Sequence, residues 1–490
     1  MTITVADLFL ILPLLLLTCT AVVAMSAISI SRNYVATIGI VVAGLLLSAV
    51  SAAMLMEEAD RQVTPLLVAD PYSLFFTIVI CLSAAFIAIL SYPFLEGLDD
   101  DREEYFLLLS VATVGAVVLV SSNHFVSTLL GLETLSMSLY GMVAYTVHSP
   151  KSDKYPLEAS VKYLVLSAAA SGFLLFGMAL VYGQTGTLGF VSLIDLPETA
   201  MHSLGSGFST IGLLLITAGL AFKLSLAPFH MWTPDVYEGS PLPATAYLAT
   251  IGKAAVFVVL LRFMEVTEAL SLTGTLTVLS LLAVISILVG NLLALLQQNV
   301  KRLLAYSSIS HMGYLLIAVV ASYHVEGRIG IEAISFYLVA YVIMSLGAFA
   351  VTSMVSSSDK EHDTIDDYKG LFWRQPILAA VFTAMMLSLA GIPLTVGFIG
   401  KFYLFFAGVE AALWPLLAAL IAGSGIGLYY YLRIIYRMIE PAPDKDDTFV
   451  GVPLFSGSYG VIICLFLLLL GLGVYPAPII NLIVAISVYV

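Results

Sequence analysis

Charge is what this sequence has least of: Asp, Glu, Lys and Arg make up only 10% of its 490 residues, against about a quarter in a soluble domain. So few charges cannot dress a water-facing surface. With 60% hydrophobic residues and a mean hydropathy of +1.05, the soluble globular class is excluded. Cysteine is almost missing as well. Cys19, Cys81 and Cys464 stand singly in apolar runs, which excludes a disulfide framework and any metal or redox spacing and leaves them as packing residues. No strict alternation of apolar and polar residues runs through the sequence, so membrane strands are excluded. No basic patch interleaved with aromatics exists, so nucleic acid is not a partner. A Gly-x-Ser-x-Gly elbow, a Walker loop and a Rossmann fingerprint are absent, which removes support for hydrolase, nucleotide-hydrolysing and dinucleotide-binding chemistry. The first apolar run lacks a basic segment ahead of it and opens at Asp7, so it is read as a retained span and not as a signal peptide.

What the sequence has is long apolar runs. A helical span needs about 20 apolar residues, and fourteen runs qualify, over 7–30, 34–56, 72–94, 105–121, 123–147, 157–183, 208–227, 242–263, 272–296, 302–321, 331–354, 376–408, 410–437 and 457–475. The stretch 476–490 is also apolar but follows Tyr475-Pro-Ala-Pro478. The expected fold is an all-α polytopic membrane protein forming one integral domain: an N-terminal part (1–104), a first repeat (105–263), a second repeat (272–437) and a C-terminal helix (457–490). With an even number of spans, alternate loops divide Lys and Arg unequally. One side receives Arg32, Arg102, Lys151, Lys154, Lys301, Arg302, Lys360, Lys369, Arg374, Arg433, Arg437 and Lys445, the other only Arg61 and Arg328. The positive-inside rule then places both termini outside, periplasmic in a bacterial inner membrane. The net charge of −13 comes mainly from acidic loops such as Leu98–Glu104, read as solvated surface or a subunit contact.

Two lysines sit beside helix breakers. Gly219-Leu-Ala-Phe-Lys223-Leu-Ser-Leu-Ala-Pro228 and Leu387-Ser-Leu-Ala-Gly-Ile-Pro393, with Lys401 following, share Leu-Ser-Leu-Ala ahead of a proline. An interior proline cannot donate to the carbonyl four residues back, so helical bonding should fail near Leu224 and Leu389. Tyr163-Leu-Val-Leu-Ser-Ala-Ala-Ala-Ser-Gly-Phe is echoed by Tyr337-Leu-Val-Ala-Tyr-Val-Ile-Met-Ser-Leu-Gly-Ala-Phe, five spans on. An odd number of spans per repeat inverts the second copy, and broken helices in corresponding halves mark ion sites.

Further ionisable groups lie at membrane depth: Glu133 in the fifth run, Lys253 in the eighth, His311 in the tenth and Lys162 nearer the end of the sixth. Each buried charge costs roughly 2.5–3.5 kcal/mol on insertion scales. The chemistry such a row supports is proton transfer. Burial disfavours a lysine's charge and a nearby carboxylate restores it, so the separation of Glu133 from a lysine switches the lysine between holding and releasing a proton. A histidine relays by accepting on one nitrogen while donating from the other. Ser136, Ser225, Ser307, Ser308, Ser310, Tyr306 and Tyr314 are placed to hold bridging waters. Against this stand plainer readings. Lys162 snorkels to the interface, His311 is a satisfied core histidine, Glu133 and Lys223 form a structural ion pair, and Arg262 anchors the interface.

The segments Pro228–Pro243, Asn299–Tyr314 and Leu389–Tyr403, which include Pro-Phe-His-Met-Trp-Thr-Pro-Asp-Val-Tyr-Glu-Gly-Ser-Pro and Ser-Ser-Ile-Ser-His-Met-Gly-Tyr, resemble the antiporter-like membrane subunits of respiratory complex I, the proton-translocating NADH-quinone oxidoreductase. The likeness extends over essentially the whole chain and is nearest to the N-type: lysine at 401 sets it apart from the M-type, and the absence of a long C-terminal extension from the L-type. The resemblance implies fourteen helices, two inverted five-helix repeats (helices 4–8 and 9–13) and broken helices seven and twelve. It implies Glu133 as the carboxylate on helix five, Lys223 as the helix-seven lysine, Lys253 as the connecting lysine and Lys401 as the outlet, with His311 and Lys162 as relay candidates. It further implies no cofactor in this chain; NADH, FMN, iron–sulfur clusters and quinone belong to partner subunits. Cation/proton antiporter subunits and membrane subunits of energy-converting hydrogenases are similar, and a scaffold whose charges only fix helix packing is a third reading.

Overall fold

Inside a bilayer the backbone finds no water, so each apolar run must pair its own N–H and C=O groups, and a single run does so by coiling into a helix. The computed structural model, which describes residues 5–59, 61–97, 102–147, 155–190, 207–271, 274–325, 327–356, 361–441 and 457–490, is built this way. The helices are α1 (Val5–Leu10), α2 (Leu12–Ile30), α3 (Tyr34–Leu55), α4 (Pro71–Leu95), α5 (Glu103–Val120), α6 (Phe125–Val143), α7 (Pro156–Thr185), α8 (Gly207–Lys223) and α9 (Trp232–Gly239). They continue as α10 (Leu242–Val266), α11 (Thr275–Leu295), α12 (Val300–His324), α13 (Ile329–Val355), α14 (Pro376–Ala390), α15 (Val396–Glu410), α16 (Trp414–Ile439), α17 (Gly457–Val474) and α18 (Ala477–Ile486). The sequence suggests no strand, yet Arg61–Gln62 pairs antiparallel with Val68–Ala69, a two-residue ladder too short to leave a periodicity.

Burial sorts the helices. The spanning windows of α10, α12 and α13 are 100%, 94% and 100% buried, whereas that of α2 is 22% buried. The three enclosed helices carry Lys253, Ser308, His311, Tyr337 and Tyr341, so the polar groups at membrane depth face protein and not lipid. Helix starts are fixed by side chains that satisfy orphan N–H groups: Asp70 and Ser73 form a reciprocal capping box on α4, and Asn299 accepts from Arg302 N at the start of α12.

The expectation of fourteen spans meets twelve helices long and apolar enough to cross a membrane among the described residues. The difference lies in the runs 208–227 and 376–408, where the helices stop at Lys223 and Ala390 and resume as α9 and α15. Each break holds a non-glycine residue in the left-handed region, Ser225 at φ 63° and Leu394 at φ 72°, a strain of about 1–3 kcal/mol per residue. The shared Leu-Ser-Leu-Ala is a sequence copy without a structural one: at 224–227 it forms the break itself, while at 387–390 it is the last turn of α14. The stretch after Pro476 is a separate helix, α18, so the C-terminal part holds two helices in place of one.

Arg262 is corrected outright. It is buried and donates to both carboxylate oxygens of Asp70, at 2.6 and 3.1 Å, tying the end of α10 to the start of α4. Run length alone places it near a span end; its partner, 192 positions away, is a tertiary fact. The basic residues Lys151, Lys154, Lys360 and Lys445, and the acidic segment 98–101, lie outside the described residues.

Candidate functional site

The first polar cluster is assembled where α6, α7 and α8 meet. Glu133 and Ser136 lie three residues apart on α6 and Ser167 and Ser171 four apart on α7, so each pair shares a helix face. Lys223, the last residue of α8, donates from Nζ to Ser136 Oγ at 2.9 Å and to Ser167 Oγ at 2.6 Å. Ser171 donates to Glu133 Oε1 at 2.5 Å. Glu133 and Lys223 are therefore not in direct contact. In place of the ion pair, each group has its own hydroxyls, Ser171 on the carboxylate and Ser136 and Ser167 on the ammonium, and these can turn to donate or accept.

The second cluster surrounds Lys253. The α10 backbone widens into a π turn over Leu248–Gly252, immediately before the lysine, a distortion typical of functional positions. There the Ala249 carbonyl accepts from the Tyr341 hydroxyl at 2.9 Å. Lys253 Nζ donates to Ser308 Oγ at 2.6 Å, and Ser308 and Tyr341 share a hydrogen bond of 2.6 Å. The ammonium also lies 5.7 Å from the ring centre of Tyr237, within cation–π range.

One turn along α12, His311 continues the row. Its Nδ1 is 2.6 Å from the Tyr337 hydroxyl and its Nε2 is 3.3 Å from the Tyr431 hydroxyl, which in turn pairs with Ser307. With a hydroxyl on each nitrogen, the ring can pass a proton by changing tautomer. Tyr337 packs against Gly400, where a Cβ would come within 2.7 Å of its ring; this sets α13 against α15 beside Lys401, although no side-chain hydrogen bond among the described residues joins His311 or Tyr337 to that lysine. Lys401 Nζ donates to the Leu389 and Ala390 carbonyls, each at 2.9 Å, and sits 5.3 Å from the Tyr314 ring centre. These carbonyls are the unpaired end of α14, where backbone partial charge favours a cation.

Of the six sequence-chosen residues, Lys223, Lys253, His311 and Lys401 are buried and Glu133 is half-buried, and these five form one series along the bundle. Lys162 does not join it. Its side chain is 43% exposed and pairs with Glu158 at 2.7 Å and Asp235 at 3.1 Å at the start of α7. Asp235 and Glu238 also hold Arg302 at 2.8 and 2.7 Å, so Lys162 belongs to a charged rim. Among the hydroxyls named from sequence, Ser136, Ser307 and Ser308 enter the network, whereas Ser310 bonds back to the Ser307 carbonyl and Ser225 accepts from Thr233 within the break. Sequence reasoning missed Ser167, Ser171, Tyr337, Tyr341 and Tyr431. A signal for four of them existed: the two echoing segments align Ser167 with Tyr341 and Tyr163 with Tyr337, and each segment places its hydroxyls four residues apart. Among the described residues no group of three or more His, Cys, Asp or Glu side chains is placed to hold a metal ion.

Comparison with known proteins gives a consistent setting. Residues 122–427 match the family described as NADH:quinone oxidoreductase/Mrp antiporter, transmembrane. The chain is 47% identical over 474 residues to NADH-quinone oxidoreductase subunit N of Methylococcus capsulatus, covering 96% of this chain and 93% of that protein. A chain of respiratory complex I from Thermus thermophilus superposes with a TM-score of 0.80 at 31% identity, over 96% of this chain and 98% of that one. The fold is also that of a chain in the Mrp complex of Dietzia sp., with a TM-score of 0.84 at 19% identity over 99% and 97% of the two chains.

Proposed function

The chain belongs to the NADH:quinone oxidoreductase/Mrp antiporter transmembrane family, and from that membership we propose that it is the N-type proton-translocating subunit in the membrane arm of a NADH-quinone oxidoreductase. It is a multi-pass inner-membrane protein whose partners are the other membrane subunits of that complex. Electron transfer from NADH to quinone takes place in those partners, which hold the FMN, iron–sulfur clusters and quinone; this chain moves protons and carries no redox site of its own. Both termini lie on the periplasmic side, and α5–α10 and α11–α16 act as two inverted halves.

The observation that carries the reading is the buried series itself. Three lysines, a glutamate and a histidine sit at membrane depth, each bonded to hydroxyls or broken-helix carbonyls rather than to a fixed counter-ion. Glu133 and Lys223 form the input switch, Lys253 and His311 connect, and Lys401 is the outlet. Because hydroxyls separate Glu133 from Lys223, a small displacement of α6 against α8 changes their coupling without breaking an ion pair. Moving one proton charge against 100 mV costs about 2.3 kcal/mol, a size that a change of one or two charge-assisted hydrogen bonds can supply.

Glu133→Gln and Lys253→Met test this. In membrane vesicles, the initial rate of NADH-driven acidification per assembled complex is expected to fall at least roughly tenfold in each, the lower range of a lost proton-transfer group. Wild-type rates in both, with normal assembly, would leave the scaffold reading in its place.

A further inference from the structure

Side-chain hydrogen bonds do not join the series throughout, and one gap lies between the two lysine clusters, on the α6–α8 side and on α10. No side-chain hydrogen bond among the described residues joins the hydroxyls around Lys223 to those around Lys253, and Tyr163 and Tyr237 stand on the two sides of that gap, the first stacked on α9 and the second part of it. Tyr163, on α7, stacks on Trp232 with ring centres 4.8 Å apart and meets Tyr140 edge-on at 5.0 Å. Tyr163 stands one turn before Ser167 on the same face of α7, beside an acceptor for Lys223. Trp232 is anchored by its indole N–H to the Phe222 carbonyl at 3.0 Å, next to Lys223. Five residues on, the same short helix α9 carries Tyr237, whose ring lies under the Lys253 ammonium, itself bonded to Ser308.

Tyr237 is fully buried, and its hydroxyl has no hydrogen-bond partner among the described residues. Buried hydroxyls are normally satisfied, because an unpaired one forfeits its bonds to water. The ring alone explains the packing against Phe349, at 6.2 Å between centres, and the contact with Lys253. A phenylalanine would supply both and leave nothing unpaired, so packing gives no reason for the oxygen.

We propose that the Tyr237 hydroxyl is the proton carrier between the two lysine clusters, working with Tyr163 on its far side. A hydroxyl accepts a proton on an oxygen lone pair and releases its own hydrogen to the next acceptor, so the tyrosine is neutral before and after and only the O–H rotates. Protons leaving the Lys223 side pass its serine acceptors and Tyr163, reach Tyr237, and are delivered to the Ser308 and Lys253 pair. This assignment rests on the proton-translocating reading above and adds the residue that bridges the gap between Lys223 and Lys253.

The test is made on the purified complex in proteoliposomes, with proton uptake normalised to assembled complex and thermal stability measured alongside. Tyr237→Phe is expected to slow proton translocation at least roughly tenfold while leaving stability unchanged or raised. Tyr247→Phe is the control: Tyr247 is equally buried, but its hydroxyl is paired with Thr113 at 3.1 Å. That change is expected to lower stability and leave translocation unaltered. Lys253→Met separates this inference from the broader reading. Normal translocation in Tyr237→Phe with a defective Lys253→Met overturns the relay alone, and normal translocation in both overturns the broader reading as well. Equal losses of translocation in the two tyrosine variants, or a loss of stability in Tyr237→Phe matching that of Tyr247→Phe, make the hydroxyl structural and also overturn the relay.

Discussion

Lys223 and Lys401 solve the problem of a buried amine in different ways. Lys223 bonds to two serine hydroxyls, which accept from an ammonium and can turn to donate to the lone pair of a neutral amine. Lys401 bonds to two backbone carbonyls, which can only accept. The first arrangement suits a site that changes protonation state repeatedly, and the second a site that receives a proton and must be pushed to give it up. Replacing Lys401 with arginine is therefore expected to allow assembly but not pumping, because a guanidinium does not release its proton in the working range. Acidification in vesicles from such a strain measures this, and a wild-type rate would assign Lys401 a fixed-charge role. Ser167→Ala removes one of the two acceptors of Lys223. A hydrogen bond to a charged group is worth about 1.5–3 kcal/mol, so pumping is expected to fall on the order of ten- to a hundredfold in normally assembled complex; an unchanged rate would make Ser136 sufficient by itself. Glu133, Lys223, Lys253, His311 and Lys401 were all legible from sequence because an ionisable residue in an apolar run is conspicuous. Ser167 and Tyr341 were marked only by their matching places in the echoing segments, and Tyr431 by nothing, since serine and tyrosine are common in spanning helices and tertiary contact distinguishes those that touch a lysine or the histidine.

At the scale of elements, the two breaks give the site its positions. Each ends a helix within the bundle and exposes main-chain groups there, and the prolines and glycines that cause this are plain in the sequence. The order of lysine and break is legible, Lys223 before Pro228 and Lys401 after Pro393; what the sequence did not contain was that Lys401 reaches back from the helix after its break to the carbonyls that end the helix before it. The identical Leu-Ser-Leu-Ala tetrapeptides misled on this point, because local identity does not fix the local environment. Crossing of the halves at the second break demands glycine at 397, where a Cβ would lie 2.0 Å from the Ser388 carbonyl oxygen. Gly397→Ala is expected to destabilise the assembled subunit by about 1–3 kcal/mol, seen as a lower melting temperature in detergent. Gly172→Ala, at a helical position with nothing within 4 Å of an added Cβ, is expected to leave it unchanged. Equal behaviour of the two would show that the crossing tolerates the extra carbon.

At the scale of the whole molecule, the fold is a shell of lipid-facing helices around α10, α12 and α13, and the proposed proton path runs along the enclosed helices from the α6–α8 side to the α15 side. Its orientation rests on the distribution of basic residues. Single cysteines near Lys151 and Glu361 are expected to be shielded from an impermeant thiol reagent in intact cells, and one near Glu198 to react; the reverse pattern would invert the protein. The ion pairs in the charged rim, such as Arg302 with Asp235 and Lys301 with Glu361 at 2.8 Å, link only residues assigned to the same side, as the alternate-loop assignment requires. The central claim is that the buried groups form one path in series. Its most direct measurement is the rate of proton translocation per assembled complex in Lys223→Ala, Lys401→Ala and the double variant, at opposite ends of the row. A series path predicts a double variant no slower than the slower single one. A double loss equal to the product of the single losses would show two independent contributions and contradict a single path.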